Sequence, residues 1–191
     1  MSESDITGQL ARYMAQARER NLAPHVEREA RHRILDTLAA MVSGAHLKPG
    51  EMAIRYARAQ GGTAEAIVLT TDIVTSAVNA ALVNGMFAHA DETDDFEPVT
   101  KAHPGSAVVP AALAMAEREG RSGAELLAAV TLGYDVCCRF LLALGPDRVR
   151  ASHRSAEGTS STMGAVAAAA SLARLDEKGM RYALSYAAQQ V

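Results

Sequence analysis

Apolar residues recur at helical spacing along most of the chain, and the interruptions mark where one helix gives way to the next. Ile6, Leu10, Tyr13 and Met14 predict a helix over Asp5 to Arg20, with Ser4 as its N-cap. A second helix is expected from Pro24, through Ile34, Leu35, Leu38 and Met41, to Gly44, because proline suits a first helical turn. Lys48-Pro49-Gly50 reads as a turn, followed by a helix from Glu51 to Gln60 that Gly61-Gly62 ends. The β-branched stretch Ala66 to Thr71 is the one convincing strand, expected as part of a small hairpin on a helical body.

Helical patterning returns over Ser76 to Ala90, stops from Asp91 to Pro104, and resumes from Gly105 to Glu119. Ser122, with Glu125 three residues on, forms a capping-box signature for a helix reaching Leu144. Gly145-Pro146 and the polar segment SHRSAEGTSST read as connection. Helices are then expected over Met163 to Arg174 and Asp176 to Gln190. The expected fold is therefore all-α, an Ala-rich multi-helix bundle with one short β-hairpin, formed by a single helical domain over residues 1–191. The last segment has core-quality apolar spacing and no tail after it, which leads us to expect a companion subunit or a longer polypeptide.

Composition narrows how such a bundle can pack. Apolar residues make up 49% of the chain but aromatics only 4%, with no tryptophan, so the core must be built from Ala, Leu, Val and Met. That suits closely approaching helices. The net charge of −3 and the interspersed signs of RERNLAPHVEREARHR read as solvated helix faces, not as a nucleic-acid surface. No uninterrupted apolar run reaches the roughly 18 residues of a membrane span, and MSESDITGQL lacks the pattern of a signal peptide. The cysteines, Cys137 and Cys138, are adjacent, which supports neither a disulfide framework nor a zinc site. They read as small apolar packing in a reducing cytoplasm.

Candidate chemistry concentrates in the break after the Ser76 helix. His89, Asp91, Glu92, Asp94, Asp95, Glu97, Thr100, Lys101 and His103 lie within fifteen residues, flanked by strongly apolar sequence. Acidic loops are usually solvated connectors, but carboxyls desolvated beside imidazoles supply general acids and bases together. His103 stands before Pro104-Gly105, where a helix begins. Free N–H groups there would seat a substrate carboxylate, with Lys101 and Thr100 adding a cation and a hydroxyl. As metal ligands, His89, Asp91, Asp94, Asp95 and His103 match no standard spacing, and no metal is expected. A second polar cluster, with Ser152, His153, Arg154, Ser155 and Thr159, also precedes a helix and reads as the other wall of one anion pocket.

These stretches resemble the MmgE/PrpD family, which includes 2-methylcitrate dehydratase and cis-aconitate decarboxylase. The resemblance rests on NGMFAHADETDD, HPGSAVVPAALAMAE, SGAELLAAVTLGYDVCCRF and the entry into MGAVAAAASLARL. It implies the first part of a helical domain, followed in the family by an α/β lid that this chain lacks. It further implies a cofactor-independent enzyme, usually a homodimer, with a catalytic lysine beyond Val191.

By the same resemblance His103 matches the family's histidine, Asp94 and Asp95 its aspartate pair, and Glu92 a family aspartate. Phe96 stands where many members carry threonine. A family His-Pro falls at Ser155, with His153 two residues earlier. The expected function is a carbon–oxygen lyase subunit moving a proton α to a carboxylate of a small di- or tricarboxylic acid. The alternatives are isomerisation or epimerisation of a similar acid, and a non-catalytic helical subunit. His103, Glu92, Asp94 and Asp95 are the expected catalytic groups. Lys101, Thr100, His153, Arg154 and Ser155 are the expected substrate contacts. A companion chain, identical or different, is expected to complete the site.

Overall fold

A computed structural model describes residues 5–191. Asp5 caps α1 (Ile6–Ala17), its carboxylate accepting from the Gly8 N–H at 3.0 Å, while the expected cap Ser4 lies outside the described residues. α2 spans Pro24–Gly44 and α3 Lys48–Gln60. Lys48-Pro49-Gly50, expected as a turn, is instead the first turn of α3. The proline nitrogen sits where a helix has an unused N–H position, so the residues that resemble a turn begin a helix.

The strand region is shorter than expected. β1 (Ala66–Ile67) pairs antiparallel with β2 (Val74–Thr75), with Ala66 opposite Thr75 and Ile67 opposite Val74. Val68 N–H still donates to the Ile73 carbonyl at 2.9 Å, but Thr70 takes a left-handed φ of 63° and the chain turns back there. Asn84, buried on α4 (Ala77–His89), ties the hairpin down by accepting from Leu69 N–H at 2.9 Å and donating to the Ile67 carbonyl at 3.0 Å. A buried amide satisfied on both sides fixes that position at little cost.

α5 (Gly105–Arg118) and α6 (Gly123–Leu144) follow, the latter with its capping box of Ser122 and Glu125 formed. Two elements differ from expectation beyond Gly145. A short α7 (Pro146–Ala151) precedes α8 (Ala156–Leu172), which begins well before Met163, and α9 spans Glu177–Ala187. Within the helix the hydroxyls of the Ser/Thr/Gly run bond back to the preceding turn, as Ser160 does to the Ala156 carbonyl at 2.9 Å, so they are satisfied when packing buries them.

Small residues set the core. A Cβ on Gly44 would stand 1.9 Å from the Phe87 carbonyl oxygen, so glycine is what lets α2 approach α4 closely there. Gly133 and Gly164 let α6 and α8 meet backbone to backbone beneath Val108 of α5. Phe87 is the one fully buried aromatic among the described residues. By length and composition α6 could cross a membrane. Here its apolar faces pack on α8, α5 and α2. Met14, Met180 and Leu184 close a second cluster between α1 and α9. This body holds the α4–α5 loop at its edge.

Candidate active site

α4 ends at His89 and α5 begins at Gly105, and the loop between them is folded by its own carboxylates. Asp91 accepts from the Ser43 hydroxyl of α2, from the Thr93 hydroxyl at 2.6 Å and from the Thr93 N–H at 3.3 Å. The Ser43 bond above all holds its carboxyl below the ordinary range. Glu97 accepts from the Thr100 hydroxyl at 2.6 Å, the Thr100 N–H at 2.7 Å and the Val99 N–H at 3.1 Å. Burial pushes the Glu97 carboxyl up, but the Thr100 hydrogen bonds outweigh it and the group ends lower than usual. Thr100 is fully buried with its hydroxyl engaged inside the loop.

Asp95 turns toward the core. It accepts from the Tyr134 hydroxyl of α6 at 2.8 Å and from the Gly105 N–H at 2.8 Å. Desolvation raises its carboxyl above the usual value, more than these bonds lower it, and burial with the Asp95 charge raises the Tyr134 phenol. The first N–H of α5, expected to be open to a substrate carboxylate, is thus occupied by a carboxylate of the protein. Gly105 is required at this point. A Cβ there would meet Asp95 Oδ1 at 2.6 Å, Thr37 Oγ1 at 2.6 Å and the Tyr134 hydroxyl at 2.9 Å.

Asp94 turns the other way. Its side chain has 0% exposure, yet it faces two imidazoles that reach solvent. His89 Nδ1 lies 3.1 Å from Asp94 Oδ1 and 3.2 Å from Oδ2. His103 Nδ1 lies 3.3 Å from Oδ2 but off the line of a hydrogen bond, so this buried nitrogen faces the carboxylate without bonding to it. His103 is 25% exposed with Nδ1 itself buried, so its open edge lies on the rest of the ring. The two rings are edge-on at 6.0 Å between centroids, and Phe96 covers His103 from another side at 5.8 Å. Glu92, 79% exposed, brings Oε1 within 3.8 Å of His89 Nε2.

The structure therefore gathers His89, Glu92, Asp94, Phe96 and His103 into one cluster, with Lys101 exposed on the same loop. Glu92 and Lys101 both hold left-handed φ values, 59° and 60°, conformations that non-glycine residues adopt at a cost of about 1 kcal/mol. Sequence reading placed His89 in the candidate cluster but gave it no catalytic or substrate-binding role, and it did not place Phe96 beside His103. The available signal for His89 was its place at a helix end, three residues before Glu92 and five before Asp94. Among the described residues, no three His, Cys, Asp or Glu side chains converge as a metal-binding group, with Asp91 and Asp95 committed elsewhere.

The second polar loop leads from α7 into α8. Ser155 is the N-cap of α8, accepting from the Gly158 N–H at 2.8 Å, and His153 is exposed at φ 60°. Ser161 of α8 donates to the His103 carbonyl at 3.3 Å, so α8 braces the first loop from below. Arg154 instead lines, with Arg148, Ser152 and Thr159, a cavity of about 590 Å³ over Phe140 and Met163 that takes no lining from residues 91–104. That cavity draws on the second polar loop and not on the first.

An Ala-rich helical body presenting a histidine–carboxylate cluster where one core helix passes to the next defines the class. Residues 8–191 match the MmgE/PrpD N-terminal domain, and the chain belongs to the MmgE/PrpD family, which holds dehydratases and decarboxylases. One relative is the cis-aconitate decarboxylase-like protein oryM of Aspergillus oryzae. It is 25% identical over 140 residues, which is 70% of this chain and 29% of the relative. The chain spans less than a third of the length of that relative.

Proposed function

We propose that this chain supplies the acid–base part of a lyase site that moves a proton α to a carboxylate of a hydroxy- or unsaturated di- or tricarboxylic acid. The observation that carries this reading is Asp94, a carboxylate with no side-chain exposure held against the buried Nδ1 of His103. A buried charge needs a paired donor, and an imidazole N–H turned to Asp94 leaves Nε2 free to exchange a proton. His103 is then the acid/base and Asp94 its orienting partner. Lys101 is the cation placed to meet a substrate carboxylate, since Arg154 opens onto a different cavity. Asp95 acts indirectly, by fixing the loop to α5 and α6.

No metal or organic cofactor enters this reading. Further groups come from polypeptide outside this chain, either a second copy or a companion, in a cytoplasmic assembly. The family membership and the decarboxylase-like relative support a lyase, and the cluster geometry supports proton transfer as its chemistry. The test is turnover of citrate, 2-methylcitrate and cis-aconitate by the complete assembly. His103→Ala should lower it by roughly 10²–10⁴-fold, as removal of a general acid/base does. Near-wild-type turnover in that variant sinks the assignment.

A further inference from the structure

We infer that His89 is a second acid/base group of this site, coupled to His103 through the one carboxylate, Asp94, that both rings share. The inference rests on the lyase reading above and assigns the proton that reading leaves unplaced. Elimination of water requires two proton transfers, one from carbon and one to the departing oxygen, and a single imidazole serves only one of them at a time.

The geometry separates the two rings by role. His89 has a carboxylate on each nitrogen: Asp94 at 3.1 Å from Nδ1 and Glu92 at 3.8 Å from Nε2. It is also the last residue of α4, at the end of a helix that attracts positive charge. Two acceptors and a helix C-terminus are the surroundings of a proton donor. His103 has a carboxylate on Nδ1 alone, and its flanks are the rings of Phe96 and His89. Those are the surroundings of a proton acceptor. The edge-on rings, 6.0 Å between centroids, leave His89 54% exposed and His103 25% exposed on the same loop. Among the described residues the only side-chain donors near Asp94 are these two imidazoles. A change of charge on one ring must therefore change the pairing of the other.

The step balances without another reactant. Neutral His103 takes the proton from the carbon α to a substrate carboxylate through Nε2. The C–H electron pair first rests in the carbanion that the adjacent carboxylate stabilises, from which solvent exchange can occur, and then forms the C=C bond as the C–O bond breaks. Cationic His89 gives its Nε2 proton to the departing hydroxyl, which leaves as water. His103 ends as the cation and His89 neutral, each keeping Nδ1–H toward Asp94, so the charge of the cluster is unchanged.

The experiment follows two signals. In the complete assembly with citrate and 2-methylcitrate, exchange of the substrate α-proton with D₂O is measured beside water elimination. His89→Gln should lower elimination by roughly 10²–10⁴-fold while exchange continues, and His103→Gln should abolish both. Equal loss of both signals in His89→Gln, or unchanged elimination, overturns the inference. The second signal is the His103 Nδ1 resonance in ¹H–¹⁵N spectra of the chain. It should move in His89→Gln because Asp94 has lost one of its two partners, and an unmoved resonance overturns the coupling. If the wild type acts on neither acid, the lyase reading fails for them, and the spectrum alone then decides the coupling.

Discussion

Asp94 turns its carboxylate toward two imidazoles that reach solvent, whereas Asp95, next to it in the chain, turns inward onto a phenol and a backbone N–H. Both side chains are buried, so burial does not distinguish them. Their partners do. Asp94 faces two imidazoles, whose ring nitrogens can both give and take a proton, whereas Asp95 is held by a phenol and a peptide N–H that act as donors only. Under the proposed function, one carboxylate serves proton transfer and the other holds the loop. From consecutive positions of one loop, Asp94 faces the imidazoles and Asp95 the core.

The largest effect that sharpens this contrast is expected at Asp94. Asp94→Asn keeps the shape but removes the charge that orients both rings, and turnover should fall by about 10²–10³-fold. Thermal unfolding should move much less than turnover. A variant that loses stability but keeps activity reverses the assignment of the two aspartates.

Gly105→Ala comes next and should act on the Asp95 side alone. A methyl group within 3 Å of three polar oxygens forces Asp95, Thr37 and Tyr134 apart, at about 2–3 kcal/mol in denaturant unfolding. Tyr134→Phe removes only the phenol hydroxyl and should cost about 1–2 kcal/mol by the same measurement, since Asp95 keeps the Gly105 N–H. If either variant is as stable as the wild type, Asp95 is not an anchor.

The smallest effect is a dependence on pH. Desolvation raises the Asp95 carboxyl above its ordinary 3.8, so the native state binds this proton more tightly than the unfolded chain. The resulting stability is full below the unfolded value and is lost as pH rises through the higher native value. Asp95→Asn has no such loss. The difference in Tm between variant and wild type should therefore move in favour of the variant as pH rises from about 4. A difference constant with pH contradicts the raised carboxyl.

Much of the body was legible without coordinates because helical periodicity is a local property. Ile34, Leu38 and Met41 mark the inward face of α2, and Ser122 with Glu125 marks the start of α6, from residues within a few turns of each other. The failures share one cause. Lys48-Pro49-Gly50 and the Ser/Thr run of α8 use residues that serve turns and helix starts equally well, and only packing of the segments that follow selects the helix. The candidate site was located by composition, since acids and histidines crowd one interruption, but its internal division was not.

The sequence alone determined an all-α, alanine-built body of the MmgE/PrpD kind, with His103 and its acidic neighbours between two core helices. Tertiary structure decided which carboxylate serves which partner. Tyr134 reaches Asp95 from 39 residues away, and Ser161 supports the His103 carbonyl from 58. It also set Arg154 over a separate cavity and brought His89 onto the carboxylate of His103. The physical reason is one of range. Periodicity reports which face of a segment is buried, whereas the partner of a polar group in a loop is fixed by whichever distant helix packs beside it.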